Sequence, residues 1–216
     1  MKLFSLIAGL LLASLMQAQV GFNVFAGPQL TTASYNVQGK KQSTSHKFGF
    51  HAGAGMKVPF EFRIYFVPAI YYSMKGYKVE FTRFAYPPDI TATDNNTTFH
   101  TVETAFLLQY DLTDKPSHPF IRIGPTLDFQ IYGTESFTTP TEEIDRNIPF
   151  GYNKYGHYSA NMLFQVGYEM KSGLFIYGTY SHGLANLNNA DQGPRIRHRV
   201  YGISIGKFFG KMAPGL

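Results

Sequence analysis

The stretch FIRIGPTLDFQIY, residues 120–132, alternates without a break. In an extended chain, Ile121, Ile123, Pro125, Leu127, Phe129 and Ile131 fall on one face, and Arg122, Gly124, Thr126, Asp128 and Gln130 on the other. A soluble β-sandwich also alternates, but there the polar side faces water and the apolar side the core. Ionic residues opposite an aromatic and aliphatic stripe have another home. In a membrane β-barrel the apolar face meets lipid, while the polar face meets a hydrated or salt-bridged lumen.

Working outward from this stretch, seven more segments follow the same rule: 20–30, 46–58, 61–74, 101–111, 157–169, 174–181 and 199–209. Lys47, Lys57, Glu103 and Asp111 repeat the placement of Arg122 and Asp128, each opposite an apolar stripe. The links between segments alternate in length. Those at 36–45, 75–97, 133–155 and 185–196 are long, and those at 59–60, 113–118 and 171–173 are short. Short periplasmic turns and long outer loops are the rhythm of an outer-membrane barrel. The expected fold is therefore all-β, an eight-stranded antiparallel up-and-down transmembrane β-barrel. In that orientation Phe22, Phe62, Tyr110, Tyr168 and Phe209 lie near the periplasmic end of the outward face. Phe48, Tyr72, Tyr158, Tyr180 and Tyr201 lie near the outer end, giving two aromatic girdles.

Composition agrees. Charged residues are 15% of the 216, below the roughly 25% of soluble domains, while aromatics reach 16%. With no cysteine, the chain has no disulfide framework, thiolate metal site, cysteine nucleophile or lipidated N-terminal cysteine. The net charge of +5 is spread along the chain rather than gathered, so nucleic acid is not an expected partner. Residues 1–18 carry Lys2 and an apolar run from Leu3 to Met16, too short to cross a bilayer, and read as a signal peptide. Residues 19–216 are then the barrel domain, exported to a Gram-negative outer membrane.

The pieces FGFHAGAGMKVPF (48–60), FVPAIYYSMKGY (66–77), VETAFLLQYDL (102–112), PFIRIGPTLDF (119–129) and TYSHGLANL (179–187) resemble, in order and spacing, the PorT-like outer-membrane β-barrel proteins typical of Bacteroidetes. The resemblance spans the whole mature chain. It implies a small barrel, in a group named after a member needed for type IX secretion.

Few residues point to chemistry. His157 and Ser159 are two apart in a strand, the spacing used by outer-membrane lipid A deacylases, and are the candidate catalytic pair. Their alternation with Tyr158 and Ala160 turns both into the lumen, away from acyl chains. The seven histidines lack metal-ligand spacing, and no cofactor is expected. The inward charges are the most informative set: Lys47, Lys57, Arg63 and Arg122 against Glu61, Glu103, Asp111, Asp128 and Glu169. Buried ions persist only when paired, so a salt-bridged plug is expected. The function expected is non-enzymatic: a structural or interaction protein in contact with outer-membrane lipid. Its outer-loop aromatics Tyr77, Phe81, Phe84, Tyr86, Phe99, Tyr152 and Tyr155 would meet a protein or glycan partner. A lipid A-modifying hydrolase and a narrow pore for small solutes are the alternatives.

Overall fold

In the computed structural model, which describes residues 20–209, eleven strands form a single sheet. They are β1 (Gly21–Val37), β2 (Lys40–Lys41), β3 (Ser43–Ser45), β4 (Lys47–Glu61), β5 (Ile64–Glu80), β6 (Asp94–Asp111), β7 (His118–Thr138), β8 (Glu143–Asn147), β9 (Tyr158–Glu169), β10 (Leu174–Gly183) and β11 (Arg195–Phe209). Eight long strands make the barrel, each antiparallel to its neighbour in chain order. The ring closes where β1 pairs with β11, from Phe22 against Phe209 to Asn36 against Arg195. Closure leaves no long unpaired edge, which is what a bilayer without hydrogen-bonding solvent demands. The expected signal peptide lies outside the described residues.

The faces divide as the alternation predicts. Ile121, Ile123, Leu127 and Phe129 point outward and are exposed, while Arg122, Thr126 and Asp128 are buried inside. The interior of eight strands is only wide enough for its own side chains. Bulky groups therefore need small ones opposite. Gly206 is such a concession: a methyl there would stand 2.2 Å from the Phe175 ring. Phe175 packs instead with Phe120, Tyr177 and Phe208 in the periplasmic half, and Val67, Ala105, Leu107 and Leu163 fill the middle.

The outer half differs from the sequence expectation of long loops. β5 continues to Glu80, β6 starts at Asp94, β7 runs to Thr138, and β8 folds back on β7. At the end of the barrel opposite the start of β1 and the end of β11, these extensions enclose a second apolar core of Tyr35, Tyr77, Phe99, Tyr155, Leu187 and Ile196, all fully buried. Each such side chain stabilises the cap by roughly 2 kcal/mol. Tyr77, Phe99 and Tyr155, expected as exposed contact residues, are thus structural: the cap is a packed body, not a set of free loops.

Three local features explain the remaining differences. A register shift between His100 and Thr101 of β6 makes Ile131 and Tyr132 of β7 both face outward. The bulge reverses the phase of β7, so Glu135 and Phe137 turn inward where the undisturbed alternation would expose them. The turn between β4 and β5 is Phe62 and Arg63, with φ of 49° at Phe62, three residues later than the expected Pro59-Phe60 link. Between β1 and β2, Gln38 and Gly39 both have positive φ (48° and 78°), the requirement of a two-residue hairpin turn in a twisted ribbon.

Candidate functional site: the lumen and its cap

Two ionic clusters cross the lumen at different heights. At the periplasmic end, Lys57 Nζ donates to Asp111 Oδ2 at 2.8 Å and Glu169 Oε2 at 3.0 Å. His118 Nε2 lies 3.0 Å from the same Asp111 oxygen and 3.7 Å from Glu169. Lys57 comes from β4, Asp111 from β6, and Glu169 from β9, so one ammonium ties three walls together. Farther up, Lys75 Nζ bridges Glu103 Oε1 at 2.6 Å and Asp128 Oδ2 at 2.8 Å. Glu103 and Asp128 are cross-strand partners of β6 and β7, a repulsive placement that only a shared cation resolves. Tyr71 donates to the second Glu103 oxygen and Asn161 to Asp128, each at 2.8 Å.

The structure distributes the expected charges unevenly. Lys57, Glu103, Asp111, Asp128 and Glu169 meet in these clusters. Arg122 is buried but, among the described residues, has no carboxylate within 4.0 Å. Its Nε donates to Gln109 Oε1 at 2.5 Å, Gln109 in turn donates to Asp111 at 2.5 Å, and the guanidinium lies 4.3 Å from the Phe120 ring centroid. Its Nη1 donates to Gln165 Oε1 at 3.4 Å, so two neutral amides and an aromatic face hold it, not an ion pair. Lys47 donates to Asn96 Oδ1 at 2.6 Å, Thr97 O at 2.8 Å and Thr98 Oγ1 at 2.7 Å, again without a carboxylate. Arg63 and Glu61 sit at the periplasmic turn outside the lumen, Arg63 paired only with exposed Asp114 at 3.5 Å.

Lys75 and His118 escape the sequence reading, which ends β5 at Met74 and places His118 in a turn. The signal for Lys75 was present: Tyr71, Ser73, Lys75, Tyr77 and Val79 continue one inward row. A third ionic group, in the cap, was also missed. Arg146 Nε reaches Glu135 Oε1 at 2.8 Å, and Glu135 Oε2 accepts from Tyr155 at 3.0 Å and Asn95 at 3.1 Å. Burial, and behind it the neighbouring tyrosines and Glu135, holds the Tyr155 phenol well above its usual range, so it stays protonated and donates. Tyr35 is raised for the same reasons.

Between the two lumen clusters lies a cavity of about 40 Å³. Lys75, Glu103 and His51 line its upper part, and Arg122, Gln165 and Leu163 its lower part. That is room for about three waters, not for an acyl chain or a sugar. The orphan donors Arg122 Nη2 and Asn23 Nδ2 suit such waters.

The expected His157–Ser159 pair does not form as one lumen row. Ser159 is buried inside β9, whereas His157 precedes the strand, is exposed, and stacks on Phe150 at 5.0 Å. A different hydroxyl–imidazole pair does exist: His51 Nε2 lies 2.7 Å from Ser204 Oγ, with Gln29 Oε1 3.0 Å from Nδ1. The orienting group is a neutral amide, and both side chains are buried, His51 beside the small cavity. Among the described residues, no group of three or more His, Cys, Asp or Glu is placed to hold a metal ion; at the Asp111–Glu169 cluster the Lys57 ammonium fills the cation position.

Outside, the expected girdle residues Phe22, Phe62, Tyr168, Phe209, Phe48, Tyr158 and Tyr201 are exposed, while Tyr110, Tyr72 and Tyr180 are half-buried. Tyr180 and Tyr201 lie ring to ring at 5.1 Å, and Tyr72 OH is 2.5 Å from His100 Nδ1.

No curated protein matches the chain. Among solved structures, Ail of Yersinia pestis in complex with the heparin analogue sucrose octasulfate is 9% identical, with a TM-score of 0.46 over 88% of this chain and 99% of that one. Neisserial surface protein A is 12% identical, with a TM-score of 0.45 over 87% and 97%. OprG of Pseudomonas aeruginosa is 11% identical, with a TM-score of 0.47 over 90% and 98%. The family model described as an outer membrane protein beta-barrel domain matches residues 14–189. With that match over most of its length, and a closed ring of eight strands around a charged lumen, the chain belongs to the family of outer membrane protein beta-barrel domains.

Proposed function

We propose that this barrel is an interaction protein of the Gram-negative outer membrane: a salt-bridged, closed lumen carries a rigid outer cap, and the cap meets a protein or glycan partner. Residues 1–18 act as the export signal and 19–216 as the working domain. The resemblance to PorT-like barrels supports a role as an accessory of an envelope or secretion system.

The observation that carries this reading is the loop between β5 and β6. It is pinned from below: Tyr35 OH donates to Pro87 O at 3.1 Å, and Arg146 Nη2 to Pro88 O at 2.9 Å. Yet it holds Phe84 80% exposed and Ile90 61% exposed. Large apolar side chains on a held loop have little ordering entropy left to lose on contact, which favours a binding surface. Tyr152, 86% exposed on the neighbouring loop, adds a second aromatic.

Affinity capture from native outer membranes tests this. The wild-type chain is expected to retain a specific partner that Phe84→Ser with Ile90→Ser loses. Equal capture by both proteins refutes the reading.

A further inference from the structure

The outward face of β11 changes character abruptly along its length. Ile205, Ile203 and Tyr201 face outward and are exposed, as a lipid-facing stripe requires. The next three outward positions toward the cap are Arg199, Arg197 and Arg195. Their inward neighbours Val200, His198 and Ile196 are buried, so the guanidinium groups have no lumen to turn into. Alternate residues repeat every ~6.8 Å, so the ladder spans roughly 14 Å from Arg199 to Arg195 and ends about 20 Å along the strand from Tyr201.

The ladder stands on a continuous apolar belt. Tyr201 pairs with Leu30 on one side and Tyr180 on the other, and Leu30 pairs with Phe48. Directly across β1 from the arginines are Thr32, Ser34 and Asn36, small polar groups that leave the guanidinium faces open. None of the three arginines has a carboxylate within 4.0 Å among the described residues. Arg197 Nε is buried with no hydrogen-bond partner. Arg199 is held in place by its own Nη1, which donates to His198 O at 2.8 Å and Gly183 O at 3.2 Å. The opposite wall lacks this character: the outer ends of β6 and β8 carry Asp94, Glu143 and Asp145.

A preorganised column of unpaired guanidinium groups just above a lipid-facing belt matches one chemistry. We propose that Arg195, Arg197 and Arg199 form a binding site for the phosphorylated headgroup of an outer-leaflet glycolipid, whose acyl chains lie along Tyr201, Ile203 and Ile205. Guanidinium groups bind phosphate oxygens through paired, charge-assisted hydrogen bonds, and Arg exceeds Lys at this. The acyl contact sets the site apart from one for a free anion. The site does not depend on the partner proposed for the cap, so either can fail alone.

The full chain, purified from outer membranes into detergent, is titrated with bisphosphorylated lipid A and read by native mass spectrometry. Each basic side chain near an anionic lipid surface is worth roughly a factor of five in affinity. Arg195→Gln with Arg197→Gln and Arg199→Gln is therefore expected to weaken retention on the order of a hundredfold. A loss under about tenfold, in protein whose unboiled gel band shows a folded barrel, overturns the proposal. Where that variant does not fold, the wild-type chain decides through its choice of ligand: dephosphorylated lipid A is expected to bind far more weakly than the bisphosphorylated form. Equal binding of the two overturns the site. Equal binding of the deacylated, phosphorylated sugar overturns the lipid as its ligand.

Discussion

Lys75 and Arg122 are both cations buried in the lumen, but their partners differ, and so do the consequences of removing them. Among the described residues, Lys75 is the single counter-ion of two facing carboxylates. Lys75→Met strands both, and breaking a buried pair costs about 3–5 kcal/mol. The folded, unboiled gel band should be lost at a clearly lower temperature. Adding Glu103→Gln and Asp128→Asn should recover most of the loss, because no charge is then left unpaired. Arg122→Met, in contrast, removes a charge held by amides and an aromatic face. It should cost about 1–2 kcal/mol, less than Lys75→Met. The sequence alone predicts the reverse emphasis, since it counts Arg122 among the ion pairs and leaves Lys75 in a loop. Side chains one row apart choose partners by height and reach, and neither is written in the period of a strand.

At the scale of elements, the barrel depends on small residues where walls and rings approach. Gly206→Ala drives a methyl into the Phe175 ring, and such overpacking costs typically about 1–3 kcal/mol. Phe175→Leu in the same chain should relieve part of it, as read by the same thermal shift of the gel band. The β5–β6 loop has its own polar anchor. Asp89 accepts from the Thr91 hydroxyl at 2.7 Å and the Thr91 amide at 2.8 Å. These bonds, the hydroxyl first, favour the carboxylate and lower its pKa. A lowered carboxylate lends order that is present above the ordinary Asp value of about 3.9 and is lost as pH falls through the lower folded one. Cleavage of the loop by an acid-active protease should therefore accelerate below about pH 4. Thr91→Val should make the loop open at a higher pH than in the wild type.

For the molecule as a whole, the proposed plug consists of the two ionic clusters and the small cavity between them. Reconstituted into planar bilayers, the wild type should show no steady open-channel conductance. Replacing Lys75, Glu103 and Asp128 together by Ala should admit water and small ions if the upper cluster is the barrier; a conducting wild type would refute the plug. Eight strands, their inward and outward faces, and the order of turns and loops follow from sequence alone, because period-two alternation and connection length are local properties of the chain. The bulge at Ile131 and Tyr132, the packed cap around Tyr77, Phe99 and Tyr155, and the departure of His157 from the row of Ser159 were decided by the tertiary structure. So were the partners of each buried ion. Register across the ring sets which residues stand at the same height, and that depends on residues as far apart as Lys57 and Glu169, which no local pattern relates.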